Sequence, residues 1–251
     1  MNKQEKLVFE RDGYVILKNC ISKEACQSLM KKSIKPILRK NNLYYTGKQH
    51  RKNLTGCFFA GRSGHPIKGK NKSWPAFFKN ARLLLSLCDL HPRNQWKWVY
   101  GAENVLGWLH IRYPYTRSRK WQIPKSGWHL DGATDDDKIK WNKSVTIIPL
   151  INSITPNGGG TALFKGSHKL INYWIHHLQN RISLSDYIEK YVNREIEKNE
   201  KNEKNEKSNI IETNGEQGDI LIMHPHMIHS ASNCYKKNKI RVTFNLSTEF
   251  L

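Results

Sequence analysis

Cysteine is scarce in this chain and is never paired. The five cysteines are scattered, and none belongs to a Cys-x-x-Cys pair. This pattern argues against a disulfide framework or a thiolate zinc site and favours a reducing compartment. No apolar run approaches the ~18 residues that a bilayer requires, and the polar start Met1–Glu10 lacks the apolar stretch of a secretory signal. We therefore expect a cytoplasmic protein without a membrane span.

Acidic residues are also few, and the deficit is uneven along the chain. The 251 residues contain 42 Lys and Arg against 21 Asp and Glu, for a formal charge of +21. Residues 1–120 hold 25 basic and 6 acidic side chains, so nearly all of the excess lies there. Such asymmetry favours an anionic partner, whether a nucleic acid, a phosphorylated metabolite, a coenzyme A ester or a carboxylate. The alternative is a set of charges spread over a solvated surface, because no compact basic block mixed with aromatic residues indicates a nucleic-acid motif.

Short apolar stretches punctuated by Gly, Pro and Asn dominate the second half of the sequence. They predict β-strands at Gly127–Asp131, Ser144–Leu150, Thr161–Phe164, Asp219–Met223 and Ile240–Leu246. Earlier in the chain, we expect strands at Gly13–Leu17 and, from the alternation of its residues, at Val105–Tyr113. Many short strands of this kind favour an antiparallel sandwich or jelly roll over a parallel sheet.

Helical periodicity is found in three parts of the sequence. Ser22 can cap a first helix whose apolar residues share one face. Ser73 followed by Pro75 marks the start of a second helix that runs through Leu87. The third helical region extends from about Leu170 to Ile196. We expect these helices to flank the strands.

Two stretches lack a clear helical or strand period. The basic stretch Lys31–Lys72 carries several Gly residues, and we expect it to be rich in loops. The Lys-Asn-Glu tract at about 195–209 has a composition that cannot bury a core, so we expect a solvated helix extension or a low-complexity insertion. Short apolar strand candidates of the same kind resume after the tract, which predicts a single domain over residues 1–251.

A candidate metal site begins at His129-Leu130-Asp131. On a strand, residues i and i+2 share a face, so His129 and Asp131 can direct a nitrogen and an oxygen ligand at one divalent metal ion. A third ligand can come from the segment after Asp219, which offers His224, His226 and His229. Two histidines and one carboxylate form the facial arrangement of non-haem iron(II) oxygenases.

Basic residues also stand on two of the strand candidates. Arg241 begins the last strand, and its fork can donate two parallel hydrogen bonds to a carboxylate. His110 and Arg112 share a strand face with Trp108, a face that looks either into a cavity or onto solvent.

The order of these motifs resembles that of the phytanoyl-CoA dioxygenase (PhyH-like) family of Fe(II)- and 2-oxoglutarate-dependent oxygenases. The likeness runs from residue 9 to about residue 247 and therefore covers nearly the whole chain. It is carried, in chain order, by Phe9–Val15, Gly127–Gly132, Asn157–Thr161, Gly166–Lys169, and the closing set Gly218-Asp219, His229-Ser230, Asn233 and Arg241.

The resemblance implies a double-stranded β-helix, a cupin-like jelly roll with flanking helices. It implies Fe(II), 2-oxoglutarate and O2 as cofactors, with His129, Asp131 and His229 as the metal ligands. It assigns Arg241 to the distal carboxylate of 2-oxoglutarate, with Thr243 assisting two residues on. The strand that carries His110 and Arg112 often helps to bind the co-substrate in this family, so these two residues are further candidates.

The implied reaction is hydroxylation of a small organic substrate, with release of succinate and CO2. A carboxylate at position 131 favours hydroxylation, or another hydrogen-abstraction outcome, over halogenation, because halogenating relatives carry a small residue there to admit chloride. The basic first half of the chain suggests an anionic substrate, and Trp128 beside the metal motif is a candidate for the wall of the substrate pocket. Two alternatives stay open: an oxygenase of the same fold that acts on nucleic acid or protein, and a non-catalytic jelly-roll binding protein.

Overall fold

Antiparallel β-strands form the framework of the protein. A computed structural model describes residues 1–40, 56–60, 80–90, 95–100, 108–114, 119–131, 133, 139, 143–201, 208–236 and 240–251. The strands are Tyr14–Leu17 (β1), Gly56–Ala60 (β2), Trp96–Tyr100 (β3), Trp108–Tyr113 (β4), Lys143–Pro149 (β5), Thr161–Phe164 (β6), Ile210–Glu212 (β7), Ile220–Met223 (β8), His229–Ala231 (β9) and Arg241–Phe250 (β10). The helices are Lys3–Asp12 (α1), Lys23–Leu29 (α2), Lys35–Lys40 (α3), Ala81–Leu90 (α4), Ser167–His177 (α5) and Leu184–Glu200 (α6). Within these ranges, no helix has both the length and the apolarity that crossing a bilayer requires.

The strands pair into a large and a small sheet. The large sheet has seven strands in the order β1-β8-β5-β10-β4-β2, and β3 pairs with the C-terminal part of β10. The small sheet has three strands in the order β7-β6-β9. Beside β9, the backbones of His129 and His229 exchange two hydrogen bonds of 3.0 and 3.1 Å. The observed architecture is mainly β with flanking helices, as predicted.

Strand β10 has one face in the apolar core and its opposite face lined by polar side chains. Val242, Phe244 and Leu246 are buried in a cluster that also includes Ile34 of a π-helical turn and Leu83 of α4. Because side chains alternate across a strand, the intervening residues of β10 point to the opposite face of the sheet. The helical layer therefore covers one face of β10, and the other face is left for polar side chains.

The strand predictions are confirmed with one exception and some shifted ends. Strand β10 continues to Phe250, and the predicted strand from Val105 is described from Trp108 onward, since residues 101–107 lie outside the described ranges. The predicted strand Gly127–Asp131 is reduced to a single bridge at His129. Gly127 has a φ of 78°, and this left-handed conformation interrupts the extended backbone just before His129.

A helix at the N-terminus was not predicted. Helix α1 begins with a capping box, in which the Asn2 side chain accepts from Glu5 N and the Glu5 side chain accepts from Asn2 N. It ends at Gly13, which has a φ of 80° and donates its N–H to Phe9 O. Both signals stand in the sequence, but the segment is too polar to show an apolar stripe.

The expectation of loops from Lys31 onward is wrong for its first ten residues. After α2, which Ser22 caps as predicted, a π-helical turn at Met30–Ile34 leads directly into α3. Pro36 lies in the first turn of α3, and because it lacks an N–H it cannot extend the regular α-helical ladder back to Lys32. Strand β2 lies within the remainder of the stretch, most of which falls outside the described residues.

The predicted helix 170–196 consists of two helices. Chain segment 178–183 separates α5 from α6, and the Ser183 side chain caps α6 by accepting from Asp186 N at 3.1 Å. The start of the Lys-Asn-Glu tract is ordered as the last turns of α6, where Glu195 is buried and accepts from Asn209 N at 2.6 Å. Residues 202–207 of the tract lie outside the described ranges.

We expect Gly218→Ala to destabilise the protein by about 3 kcal/mol. Gly218 has a φ of +94°, and a Cβ there would lie 2.1 Å from the backbone oxygen of Ile21. A matched control is Gly166→Ala, because Gly166 has a similar φ of +76° but its Cβ would have no atom nearer than Arg11 O at 3.7 Å. The control is expected to cost only about 1 kcal/mol. Urea unfolding of both variants checks this, and equal losses would show that the contact with Ile21 is unimportant.

Candidate active site

Three side chains converge where His129 bridges β9. His129, Asp131 and His229 each offer one ligand atom, and these atoms lie within 4.8 Å of one another. Nε2 of His229 is 3.5 Å and Nε2 of His129 is 3.9 Å from Oδ1 of Asp131. In the part of the chain that the structure describes, this is the single group of His, Cys, Asp and Glu side chains that could hold a metal ion.

Backbone carbonyls fix the orientation of both imidazoles. Nδ1 of His129 lies 2.8 Å from Gly127 O, and Nδ1 of His229 lies 3.0 Å from Met227 O. Because a carbonyl oxygen only accepts, Nδ1 must be the donor, and in the neutral ring the lone pair is then on Nε2. These are the nitrogens that approach Asp131. The donor set of two neutral imidazole nitrogens and a carboxylate oxygen therefore suits a divalent first-row metal such as iron(II).

Asp131 is oriented by Thr146, a residue that the sequence did not indicate. Thr146 belongs to β5, and its hydroxyl donates to Oδ2 of Asp131 at 2.7 Å. Oδ1 of the same carboxylate is the oxygen that approaches the two histidines. Thr146 thus holds one carboxylate oxygen and turns the other toward the ligand nitrogens.

We expect Thr146→Val to weaken metal binding about 10-fold, because outer hydrogen bonds to metal ligands typically contribute 10- to 100-fold in affinity. The affinity for iron(II) or cobalt(II) can be measured by competition with a chelator. Thr248→Val is a matched control, since Thr248 is also buried and its hydroxyl has no hydrogen-bond partner among the described residues. Equal losses in the two variants would contradict a specific role for Thr146.

The three side chains of the triad differ in their exposure to solvent. The side chain of His229 is 6% exposed and that of Asp131 is 20% exposed, whereas that of His129 is 55% exposed. A substrate can therefore approach from the side of His129.

The other histidines near this segment take part in a separate cluster. Nδ1 of His226 lies 2.7 Å from Oδ1 of Asn172, and His226 N donates to Nδ1 of His224. The rings of His224 and His168 pack with centroids 5.0 Å apart. The structure thus brings His229, but neither His224 nor His226, together with His129 and Asp131.

A second polar group lines the inner face of β10. Arg241 is buried, and its Nη1 donates to Gly159 O at 2.8 Å. The hydroxyl of Thr243 is buried and, among the described residues, makes no hydrogen bond. The register of β10 with β4 places Arg112 opposite Arg241 and His110 opposite Thr243. Directly opposed residues share a face, so the four predicted co-substrate candidates lie together.

His110 links the polar group on β10 and β4 electrostatically to the triad of His129, Asp131 and His229. The pKa of His110 is lowered to about 3, mainly by burial and in addition by the positive charges of Arg241 and Arg112, while the charge of Asp131 acts in the opposite direction. His110 therefore lies within electrostatic reach of both groups and stays neutral at physiological pH. The triad and the two arginines, Arg241 and Arg112, thus belong to one polar region.

Trp128 is partly buried on an apolar wall beside the triad. Its Nε1 donates to Pro124 O at 2.8 Å, and its ring packs against a cluster that includes Leu130, Trp174 and Ile188. That cluster includes residues of helices α5 and α6. The arrangement agrees with a pocket wall, a role that stays a prediction.

The sequence profile of the family described as phytanoyl-CoA dioxygenase (PhyH) matches residues 9–234. No curated protein sequence matches the chain.

Several solved structures share the fold at low sequence identity. HygX from Streptomyces hygroscopicus, with nickel and 2-oxoglutarate bound, is 12% identical and superposes with a TM-score of 0.54 over 99% of this chain and 87% of that one. EctD from S. alaskensis with bound Fe is 15% identical, with a TM-score of 0.54 over 100% of this chain and 76% of that one. The alpha-ketoglutarate-dependent carbocyclase SnoK from nogalamycin biosynthesis is 12% identical, with a TM-score of 0.52 over 99% and 84%. These similarities confirm the predicted jelly-roll fold.

Proposed function

This chain belongs to the phytanoyl-CoA dioxygenase family, and from that premise we propose a reaction and a role for each residue of its site. Membership confirms the predicted class of enzyme, an Fe(II)- and 2-oxoglutarate-dependent oxygenase, and with it these two cofactors. The proposed reaction is hydroxylation of a small anionic organic substrate, with consumption of O2. When bound, iron and 2-oxoglutarate supply the oxidising chemistry, in which 2-oxoglutarate is converted to succinate and CO2.

His129, Asp131 and His229 are proposed to hold the iron. The observation that carries this proposal is the convergence of the two Nε2 atoms on one oxygen of Asp131, with each Nδ1 occupied by a backbone carbonyl. The hydrogen bond from Thr146 keeps the carboxylate in place. These three side chains would supply the ligands to the ion, and the exposed side chain of His129 marks the side from which a substrate would approach.

Arg241 and Thr243 are proposed to bind the distal carboxylate of 2-oxoglutarate. Arg112 lies directly opposite Arg241, and like charges in directly opposed positions repel each other. A dicarboxylate would offset that repulsion, and the buried hydroxyl of Thr243 would gain an acceptor. His110, opposite Thr243, is neutral and can contribute a hydrogen bond without adding charge.

The proposed anionic character of the substrate rests on the segment that leads to the metal ligands. Arg119, Lys120 and Lys125 are exposed, and the sequence has no acidic residue between Arg119 and Leu130. Ser230 Oγ donates to Ser126 O, which fixes this segment beside β9. Several positive charges near the exposed side of the site would attract a carboxylate- or phosphate-bearing molecule.

A cytoplasmic location is also proposed, on the basis of the cysteines. Among the described residues, Cys20, Cys26 and Cys88 carry thiols that are not in disulfides, a state that suits a reducing compartment. Burial raises the pKa of Cys20 and of Cys26 to about 11, so both stay protonated and unreactive.

Anaerobic titration of the iron(II)-loaded protein with 2-oxoglutarate tests the proposed function. A weak visible metal-to-ligand band is expected, and its absence would refute the function. Succinate release is then measured with carboxylate- or phosphate-bearing candidates and with neutral analogues of the same size. Turnover of the neutral analogues at the same rate would refute the anionic substrate. A steep loss of turnover with added salt would instead favour a nucleic-acid substrate, because counterions are released when such a polyanion binds.

A further inference from the structure

Glu212 is an acidic side chain that no step of the proposed reaction uses, and it holds a loop beside Arg241. Its Oε2 accepts from Asn157 N at 2.7 Å, and its Oε1 accepts from Gly159 N at 2.8 Å and from Gly160 N at 3.2 Å. Glu212 is the last residue of β7, opposite Ala162 of β6. One carboxylate therefore gathers three N–H groups of the loop that connects β5 to β6.

The loop takes a conformation that needs such an anchor. Asn157 has a φ of 65°, a left-handed value that is uncommon for a residue with a side chain. Backbone N–H groups that converge on one point in this way can bind an anion. In this protein, a side chain of the same chain occupies that point. The strained turn and the carboxylate thus stabilise each other.

A single peptide unit connects Glu212 to Arg241. The carbonyl between Gly159 and Gly160 accepts from Nη1 of Arg241 at 2.8 Å, and the N–H of the same peptide donates to Glu212. Each hydrogen bond polarises the peptide in the sense that strengthens the other. The guanidinium and the carboxylate also interact directly by charge, since Arg241 counters the rise that burial causes in the pKa of Glu212.

We propose that Glu212 is a positioning residue, which orients the guanidinium of Arg241 for 2-oxoglutarate through the Gly159–Gly160 peptide. This inference rests on the proposed role of Arg241. The metal ligands have their own supports, the carbonyls of Gly127 and Met227 and the hydroxyl of Thr146, none of which belongs to this loop. Loss of the Glu212 carboxylate is therefore expected to weaken the binding of 2-oxoglutarate and to leave metal binding intact.

The test is Glu212→Gln, which keeps the shape of the side chain but removes its charge and places a donor against backbone N–H groups. Anaerobic titration of the iron(II)-loaded variant with 2-oxoglutarate is expected to give a Kd about 10-fold higher than that of the wild type. KM for 2-oxoglutarate should rise by the same factor. In contrast, kcat at saturation and the affinity for iron(II) should stay within about two-fold of the wild-type values. Glu216→Gln is the matched control, because Glu216 is exposed and, among the contacts described, its carboxylate accepts only from the Ser153 hydroxyl.

A double-mutant cycle tests the connection to Arg241 itself. Glu212→Gln, Arg241→Met and the double variant are unfolded with urea without metal or co-substrate, and the two changes are expected to be non-additive because they act on one hydrogen-bonded chain. Should Glu212→Gln fail to fold, Glu212→Asp replaces it, and the shorter carboxylate is expected to raise the Kd several-fold.

The outcomes separate this inference from the proposed function. A wild-type protein without a 2-oxoglutarate band overturns the proposed function. A normal wild-type band with an unchanged Kd in folded Glu212→Gln overturns only the positioning role. Additive effects in the cycle would also overturn it, since the two side chains would then act independently. An equal loss of iron(II) affinity would overturn it as well, since it would indicate general destabilisation. A higher Kd together with non-additive unfolding supports it.

Discussion

Replacing His229 with alanine is expected to abolish the metal centre and to lower succinate release by about 1,000-fold or more. Loss of an outer hydrogen-bond partner already costs about 10- to 100-fold, and His229 is proposed as a ligand itself. Its side chain is buried with Nε2 directed at Asp131, so we expect no solvent-exposed side chain to take its place as a ligand. The measurements are the visible band of the anaerobic iron(II) and 2-oxoglutarate complex, which should vanish, and the rate of succinate release.

His226→Ala is the matched control for this variant. Both changes remove an imidazole from the same short segment, but the ring of His226 contacts Asn172 and lies outside the triad. The control is expected to keep the band and most of the activity. A protein that loses its band in His226→Ala and retains it in His229→Ala would require a different third ligand.

The candidate site was predictable where its residues are close in sequence or carry a distinctive spacing. His129 and Asp131 are two positions apart, and His229 follows an apolar strand by a short turn. Both histidines bond the carbonyl two residues earlier, a local contact that neighbouring sequence alone can produce. A β-bridge between His129 and His229 brings the two segments together.

Thr146 and Glu212 could not be predicted in the same way. Thr146 reaches Asp131 because of where β5 lies in the large sheet, and Glu212 reaches the loop at Gly159 through the pairing of β7 with β6. Each is a common residue type on an ordinary strand, and no local motif marks it. Their roles follow from strand register, which is set by the burial of whole strands rather than by the residue itself.

The errors in the fold prediction have a similar cause. Helix α1 packs Phe9 into the core that lies against the large sheet, and the helical segment after Met30 buries Ile34 and Leu38 in the same core. The basic side chains between these apolar residues hid their spacing. Tertiary packing, rather than intrinsic propensity, decides the state of such segments.

Arg241→Met is expected to raise the Kd for 2-oxoglutarate about 100-fold, while the affinity for iron(II) stays near that of the wild type. The change removes the proposed two-pronged, charge-assisted contact with the co-substrate, which would contribute a few kcal/mol to binding, and about 1.4 kcal/mol corresponds to each factor of ten. Methionine keeps much of the apolar volume of the side chain. The measurement is the same anaerobic titration, with KM for 2-oxoglutarate as a second readout.

Arg241→Lys distinguishes geometry from charge in this contact. Lysine retains the positive charge but lacks the planar fork, so the Kd is expected to fall between the wild type and Arg241→Met, about 10-fold above the wild type. Both variants also deprive Gly159 O of its guanidinium donor, and a loss of about 1–2 kcal/mol in unfolding free energy is expected from that buried carbonyl. If Arg241→Met bound 2-oxoglutarate as tightly as the wild type while Arg112→Met did not, the co-substrate carboxylate would have to be reassigned to the opposing arginine of β4, which faces the same interior.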